Sequence, residues 1–302
     1  MATEPPQKPK EHPSTYIVQD RSSEEELTRV RLQDQLITTG MGGALPEQEN
    51  PGRFQRVLDV GCGTGNWLIT LAQSVLASSQ LVGADVSKRL VEYARSQAQA
   101  AGVADRVEFH VMDALRMLEF PRKHFDLVNQ RFGASYLRTW DWPGLLQEYR
   151  RVTRPGGIIR ITESDIPTGN NAPAYTTLSG MLNSAMSQAG HVFFPEERDG
   201  VTRALESTLH QAGVLNLQTR VHQLELHAGT IEGQRFAEDT KHAFRTIAPF
   251  LRKWIKVPGE YERLYQQALE EVQQPDFVAT WRLLTVWGTN PSTAEKQIFD
   301  LH

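Results

Sequence analysis

The residues with the clearest capacity for chemistry are Val57-Leu58-Asp59-Val60-Gly61-Cys62-Gly63-Thr64-Gly65, an apolar run that ends in an acid and three alternating glycines. Glycines at such a turn let a ligand lie against backbone, because no Cβ stands in the way. The loop directly follows a strand pattern and opens a helix, with Asn66 where a dinucleotide fingerprint has glycine. Asp59, at the strand end, can receive a ligand ammonium directly or through water. Asp85 closes a second apolar run 20 residues beyond Gly65, where an acid can accept from both hydroxyls of a ribose. Asp113 follows a third run and can accept from the exocyclic amine of an adenine. Each acid taken singly also serves as a turn or helix cap. Together with the glycine loop, at successive strand ends, the three converge on one crevice.

The elements that must position them alternate. Strand patterns at Arg56–Val60, Gln80–Asp85, Val107–Met112, Phe125–Gln130 and Gly157–Thr162 are separated by helical ones at Trp67–Ala77, Ser87–Ala101 and Trp142–Val152. That rhythm predicts an α/β, doubly wound, mostly parallel sheet. Residues 1–50 read as a polar tail and a cover helix that starts near Ser22, with Leu27, Val30, Leu32, Leu36 and Ile37 as its apolar side. Residues 51–165 read as the ligand-binding core. Residues 166–302 read as the rest of the sheet with helical insertions. Between Leu226 and Phe277 lie 50 residues, far beyond a hairpin connection. They carry Phe236, Ala243, Phe244, Ile247, Phe250, Leu251, Trp254 and Ile255 near helical spacing, a stripe that must bury against something. The expectation is a lid shared with the N-terminal helix and a helix at Pro173–Ala189.

Composition narrows the function classes. Formal net charge is −4, without the basic footprint of a general nucleic-acid binder. The single cysteine, Cys62, excludes an internal disulfide framework and a cysteine-based zinc cluster. No run approaches the length of a membrane span, and the N-terminus carries no signal-like apolar stretch. These features predict a soluble, cytoplasmic protein, monomer or homodimer, with no nucleic-acid or membrane partner and no metal.

The run VLDVGCGTG, with Asp85, Met112-Asp113-Ala114 and RVTRPGG before the fifth strand, resembles the class I S-adenosylmethionine-dependent methyltransferases. A weaker likeness, through Tyr16, RLQDQL at 31–36, GGAL at 42–45, Trp67 and VWGTNP at 286–291, points to small-molecule methyltransferases of bacterial and fungal secondary metabolism. The resemblance implies a Rossmann-like, seven-stranded sheet with an antiparallel last strand, and S-adenosyl-L-methionine as cofactor. It implies that Gly61, Cys62, Gly63 and Gly65 line the methionine part with Asp59 near its amino group. Asp85, followed by Val86, would bind the ribose; Met112 and Ala114 would flank the adenine with Asp113 on its amino nitrogen; and Asn129 would offer its backbone carbonyl to the methionyl ammonium. Relatives that methylate nucleic-acid amines often carry Asn/Asp-Pro-Pro-aromatic after strand four. Asn129-Gln130-Arg131-Phe132 here speaks against that substrate class.

Methyl transfer from a sulfonium is an in-line displacement, so alignment and desolvation can supply much of the rate. A base helps a hydroxyl acceptor and is dispensable for a free amine. His191 and Glu163 are the candidate catalytic groups, with packing and helix capping as their structural alternatives. Tyr16, Arg131, Tyr136 and Trp140 are candidates around a small-molecule acceptor, Arg131 for a carboxylate. A nicotinamide dehydrogenase shares the strand-and-acid logic but not Asn66. A methyltransferase-like regulatory or binding protein, and a protein methyltransferase, stay open as alternatives.

Overall fold

Short β-branched and leucine-rich runs pair side by side because buried backbone must find its hydrogen bonds in neighbouring strands. The computed structural model describes residues 15–20, 23–75, 79–167, 169–194 and 200–292; the polar tail and Ser22 lie outside them. β1 (Arg56–Val60), β2 (Gln80–Asp85), β3 (Val107–Val111), β4 (Phe125–Arg131) and β5 (Thr153–Ser164) are parallel. β6 (Leu215–His227) and β7 (Val278–Thr289) complete the sheet in the order β3-β2-β1-β4-β5-β7-β6. β7 runs antiparallel to both β5 and β6. The doubly wound, seven-stranded sheet with its antiparallel last strand is thus the observed fold. β5 begins earlier than its apolar core, at Thr153: the Arg154-Pro155-Gly156-Gly157 turn is absorbed where the β4 register shifts between Phe125 and Leu127.

The helices are α1 (Glu24–Gly40), α2 (Asn66–Ala72), α3 (Lys88–Ala100), α4 (Trp142–Val152), α5 (Pro173–Gln188), α6 (Thr202–Gln211), α7 (Ile231–Thr246), α8 (Ala248–Trp254) and α9 (Tyr261–Glu271). α2 and α3 cover one face of the sheet, burying Trp67, Leu71, Val91 and Ala94 against Val57, Leu81 and Leu127. α4 and α6 cover the other, burying Leu145, Tyr149, Leu205 and Leu209 against Leu58, Val128 and Ile159. Each such valine, leucine or isoleucine contributes about 1.5–3 kcal/mol on leaving water.

A third cluster sits beyond these layers. The stripe of the long insertion, Phe236, Phe244, Ile247, Phe250 and Leu251, buries against Leu36 and Ile37 of α1, Tyr175 and Leu178 of α5, and Leu226 and Trp281 of the sheet. The insertion therefore packs on α1 and α5, as its apolar spacing requires. α1 departs from its expected face. Its cap is the serine directly before the three glutamates, Ser23, which accepts from the Glu25 and Glu26 N–H groups at 3.2 and 3.4 Å. Leu36 and Ile37 are buried, but Leu27, Val30 and Leu32 are only half-buried, while Glu26, Arg29 and Asp34 are buried. A charged face turned inward needs partners: Arg29 finds Glu26 within α1, and Asp34 finds Arg131 of β4.

Among the described residues, no helix is long and apolar enough to cross a membrane. Nor do three or more His, Cys, Asp or Glu side chains gather as a metal site there.

Candidate functional site

The ends of β1, β2, β4 and β5 open into a cavity of 1040 Å³ roofed by α1, α5 and α7. The turn after β1 makes its floor. Gly61, Gly63 and Gly65 have φ of +70°, +53° and +76°, a region that side-chain-bearing residues rarely adopt. The space beside these glycines is taken by the protein rather than left for a ligand. A Cβ on Gly61 would lie 2.9 Å from the Tyr136 hydroxyl, on Gly63 3.2 Å from Val30, and on Gly65 2.6 Å from Phe109. Gly61, Cys62 and Gly63 line the cavity; Gly65 does not, because it packs on Phe109 and caps α2.

Asp85 faces the cavity at the end of β2, its Oδ2 accepting from the Gly63 N–H at 3.0 Å and its Oδ1 from the Ser87 N–H at 2.8 Å. It fixes the loop and still presents its carboxylate to the opening. Val86, Met112, Asp113 and Ala114 line the same wall. The Asp113 carboxylate is also a turn cap, accepting from the Leu115 N–H at 3.0 Å and pairing with Arg116 at 3.6 Å.

Asp59 and Asn129 are placed differently from the expectation. Both are buried behind the loop and neither lines the cavity. The Asn129 amide donates to Asp59 at 2.7 Å and accepts from Arg160 at 2.7 Å, and Arg160 in turn holds Glu47 at 2.8 Å. Burial pushes the Asp59 carboxyl up to about 7. A direct contact between Asp59 and a ligand amino group does not fit this arrangement, since the carboxyl turns to Asn129 inside the sheet.

The remaining candidates divide. Glu163, at the end of β5, lines the cavity though only 1% exposed. Burial pushes its carboxyl up to about 8 against the Ala134 N–H, which donates at 3.3 Å. Tyr136 lines the cavity with a buried hydroxyl that has no hydrogen-bond partner among the described residues. Tyr16 lies across the opening, its hydroxyl donating to Glu26 at 2.6 Å and accepting from Arg29 at 3.1 Å. Arg131 reaches the cavity, but Asp34 at 2.6 Å and Thr38 at 3.1 Å occupy its guanidinium, so it is not a free receiver for an acceptor carboxylate.

His191 and Trp140 fall outside. His191 is 1% exposed, with Nδ1 2.8 Å from the Ala134 carbonyl and its ring edge on Phe250. Burial lowers its pKa, and its neighbour Val192 lines the cavity instead. Trp140 is 62% exposed, stacked under Arg138 and over Gly190. Residues missed from the sequence complete the walls: Glu26, Arg29, Tyr175, Leu182, Met186, Asp239 and Trp281. Only the inward charges of α1, at helical spacing from Glu26 to Arg29, left a signal that could have been read.

Residues 57–157 match the family described as "Methyltransferase domain". The chain is similar to the demethylmenaquinone methyltransferase of Geobacillus kaustophilus (strain HTA426), 33% identical over 119 residues, covering 39% of this chain and 49% of that protein. It is likewise similar to aklanonic acid methyltransferase DauC of Streptomyces sp. (strain C5), 34% identical over 124 residues, covering 41% and 54%. The chain thus spans about half the length of the curated relatives it matches. The YcgJ protein from Bacillus subtilis shares the fold, with a TM-score of 0.54 at 18% identity, over 84% of this chain and 99% of that one.

Proposed function

We propose that this chain, whose residues 57–157 form a methyltransferase domain of the class I S-adenosylmethionine-dependent type, transfers a methyl group from S-adenosylmethionine to a small-molecule acceptor. The observation that carries the reading is a single cavity lined by the glycine turn, Asp85, Met112–Ala114 and Glu163. Its 1040 Å³ reaches the top of the usual range for one drug-sized ligand, about 300–1,000 Å³, which leaves room for donor and acceptor together. The residues fit the donor: a carboxylate presented at the β2 end for the ribose, an apolar wall at Met112 and Ala114, and glycine backbone beneath.

When bound there, S-adenosylmethionine supplies a methyl carbon activated by its sulfonium. Asp85 accepts from the ribose hydroxyls and Gly61–Gly63 carry the methionine portion. Glu163 holds the acceptor hydroxyl and takes its proton, since a carboxyl raised toward the working pH is a competent base. The aromatic roof excludes water, and α1, α5 and α7 act as the lid over the strand ends. The relatives named for demethylmenaquinone and aklanonic acid support a small-molecule acceptor. Tyr175, Leu182, Met186, Phe244 and Trp281 would receive it.

Calorimetric titration with S-adenosylhomocysteine tests the reading. Asp85→Ala is expected to weaken binding by about 1.5–3 kcal/mol, the scale for removing a charged hydrogen-bonding partner. Unchanged affinity in a variant of native circular dichroism removes Asp85 from the ribose site.

A further inference from the structure

Among the described residues, eight carboxylates line the cavity against three arginines. Each arginine is already engaged by a cavity acid: Arg29 by Glu26 at 2.8 Å, Arg131 by Asp34 at 2.6 Å, Arg116 by Asp113 at 3.6 Å. Of the acids left over, Asp165 has Arg282 at 2.9 Å and Asp85 has two backbone N–H groups. Asp239 of α7 is different. It is 6% exposed, it lines the cavity, and its Oδ1 accepts no hydrogen bond from the described residues. The Arg29 guanidinium stands 3.8 Å away, beyond hydrogen-bond length, and already grips Glu26 through Nε and Nη2.

A buried carboxylate without a donor is costly, and its surroundings state what would relieve it. Tyr175 packs edge-on against Phe236 and Phe244 at centroid distances of 5.4 and 5.9 Å, and all three line the cavity. Aromatic faces attract cations and do little for a neutral hydroxyl. A buried acid whose Oδ1 has no hydrogen-bond donor and only a loose ion pair with Arg29 at 3.8 Å, in the cavity these rings also line, is a pocket for positive charge. The pair Glu26–Arg29 is neutral as a unit, so it does not compensate Asp239.

We infer that Asp239, with the rings of Tyr175, Phe236 and Phe244, is a specificity site that anchors the acceptor by an ammonium group. Calling the ligand an acceptor rests on the methyltransferase reading; the preference for an ammonium does not. An ammonium has no lone pair, so the nitrogen held here orients the molecule while another of its atoms, facing Glu163, takes the methyl. Burial, which pushes the Asp239 carboxyl up to about 6, still leaves it ionised at neutral pH and able to receive the cation.

Phenylbutylamine and phenylbutanol, matched in shape and differing in charge, are the probes, titrated by ligand-observed NMR with and without S-adenosylhomocysteine. The amine is expected to bind about tenfold or more tighter than the alcohol, and Asp239→Asn to reduce that preference to within about threefold. Circular dichroism and thermal melting monitor the fold of the variant; should it not fold, the wild-type preference alone decides. Equal binding of the two probes, or no saturable binding of the amine, overturns the inference. So does an Asp239→Asn variant that keeps the preference, or one that loses only S-adenosylhomocysteine affinity. Failure of wild type to bind S-adenosylhomocysteine, with the amine preference intact, would instead overturn the donor reading and leave the ammonium site standing.

Discussion

Glu163→Gln should lower turnover by roughly 10²- to 10⁴-fold, the range for losing a positioned base, with S-adenosylhomocysteine bound as in wild type. Glutamine keeps the size of the side chain and can still accept from the Ala134 N–H, now at 3.3 Å, but it cannot take a proton. The wild-type base works ionised, so its turnover rises with pH through about 8, and the variant loses that rise. Stability moves the opposite way. Burial raises the folded carboxyl above its unfolded value, so the folded state binds the proton more tightly. The stability Glu163 contributes is complete below its unfolded value of 4.5 and is lost as pH rises through about 8. Glu163→Gln should therefore melt higher than wild type above about pH 8 and close to wild type near pH 4. Turnover and pH slope both unchanged would take Glu163 out of proton transfer and favour an acceptor that needs no base.

The second large effect falls on the frame behind the glycine turn. Arg160→Ala should destabilise the protein by about 3–5 kcal/mol, the usual result of removing one partner from a buried ion pair. Arg160 is 0% exposed in the middle of β5. It holds Glu47 through Nε and Nη2 at 2.8 and 3.2 Å, and the Asn129 side chain through Nη1 at 2.7 Å. Burial works to raise the Glu47 carboxyl, yet the Arg160 guanidinium outweighs it and holds Glu47 below its ordinary value. Without Arg160, Glu47 stays buried and unpaired, and Asn129 loses a donor on the side facing away from Asp59. Denaturant unfolding measures the loss. The paired replacement Arg160→Met with Glu47→Leu should recover most of it, because the two desolvation costs vanish together. A loss under about 1 kcal/mol for Arg160→Ala would mean that water reaches the pair.

The frame of the sheet was legible because its signals are local. β1 and β2 match their apolar runs residue for residue, each closed by an acid or a glycine, and α4 matches its pattern from Trp142 to Val152. The packing of the insertion on α1 and α5 followed from a stripe too apolar to stay in water. Failures arose where long-range pairing decides. His191 sits in a segment that does border the cavity, but the Ala134 carbonyl draws its ring inward, and no periodicity encodes that bond. Trp140 looked like a wall and is a cover on Gly190. The inward charges of α1 had no place in a reading of its apolar side, since Asp34 finds Arg131 on β4, remote in the chain. β5 starts early because the pairing shift near Phe125 admits residues that sequence pattern assigns to a turn.

The central claim, that the donor binds between the glycine turn and the helical roof, is tested most directly by hydrogen exchange with and without S-adenosylhomocysteine. Val30 lies against Gly63, and Tyr16, Asp239 and Phe244 line the same cavity as Asp85, so ligand entry should quiet all of these segments together. The account predicts slowed exchange in residues 61–65, in 16–38 and in 231–247, with the β6 edge of the sheet unchanged. Protection absent from the glycine turn, or found in the turn while both helical segments exchange as before, would contradict it.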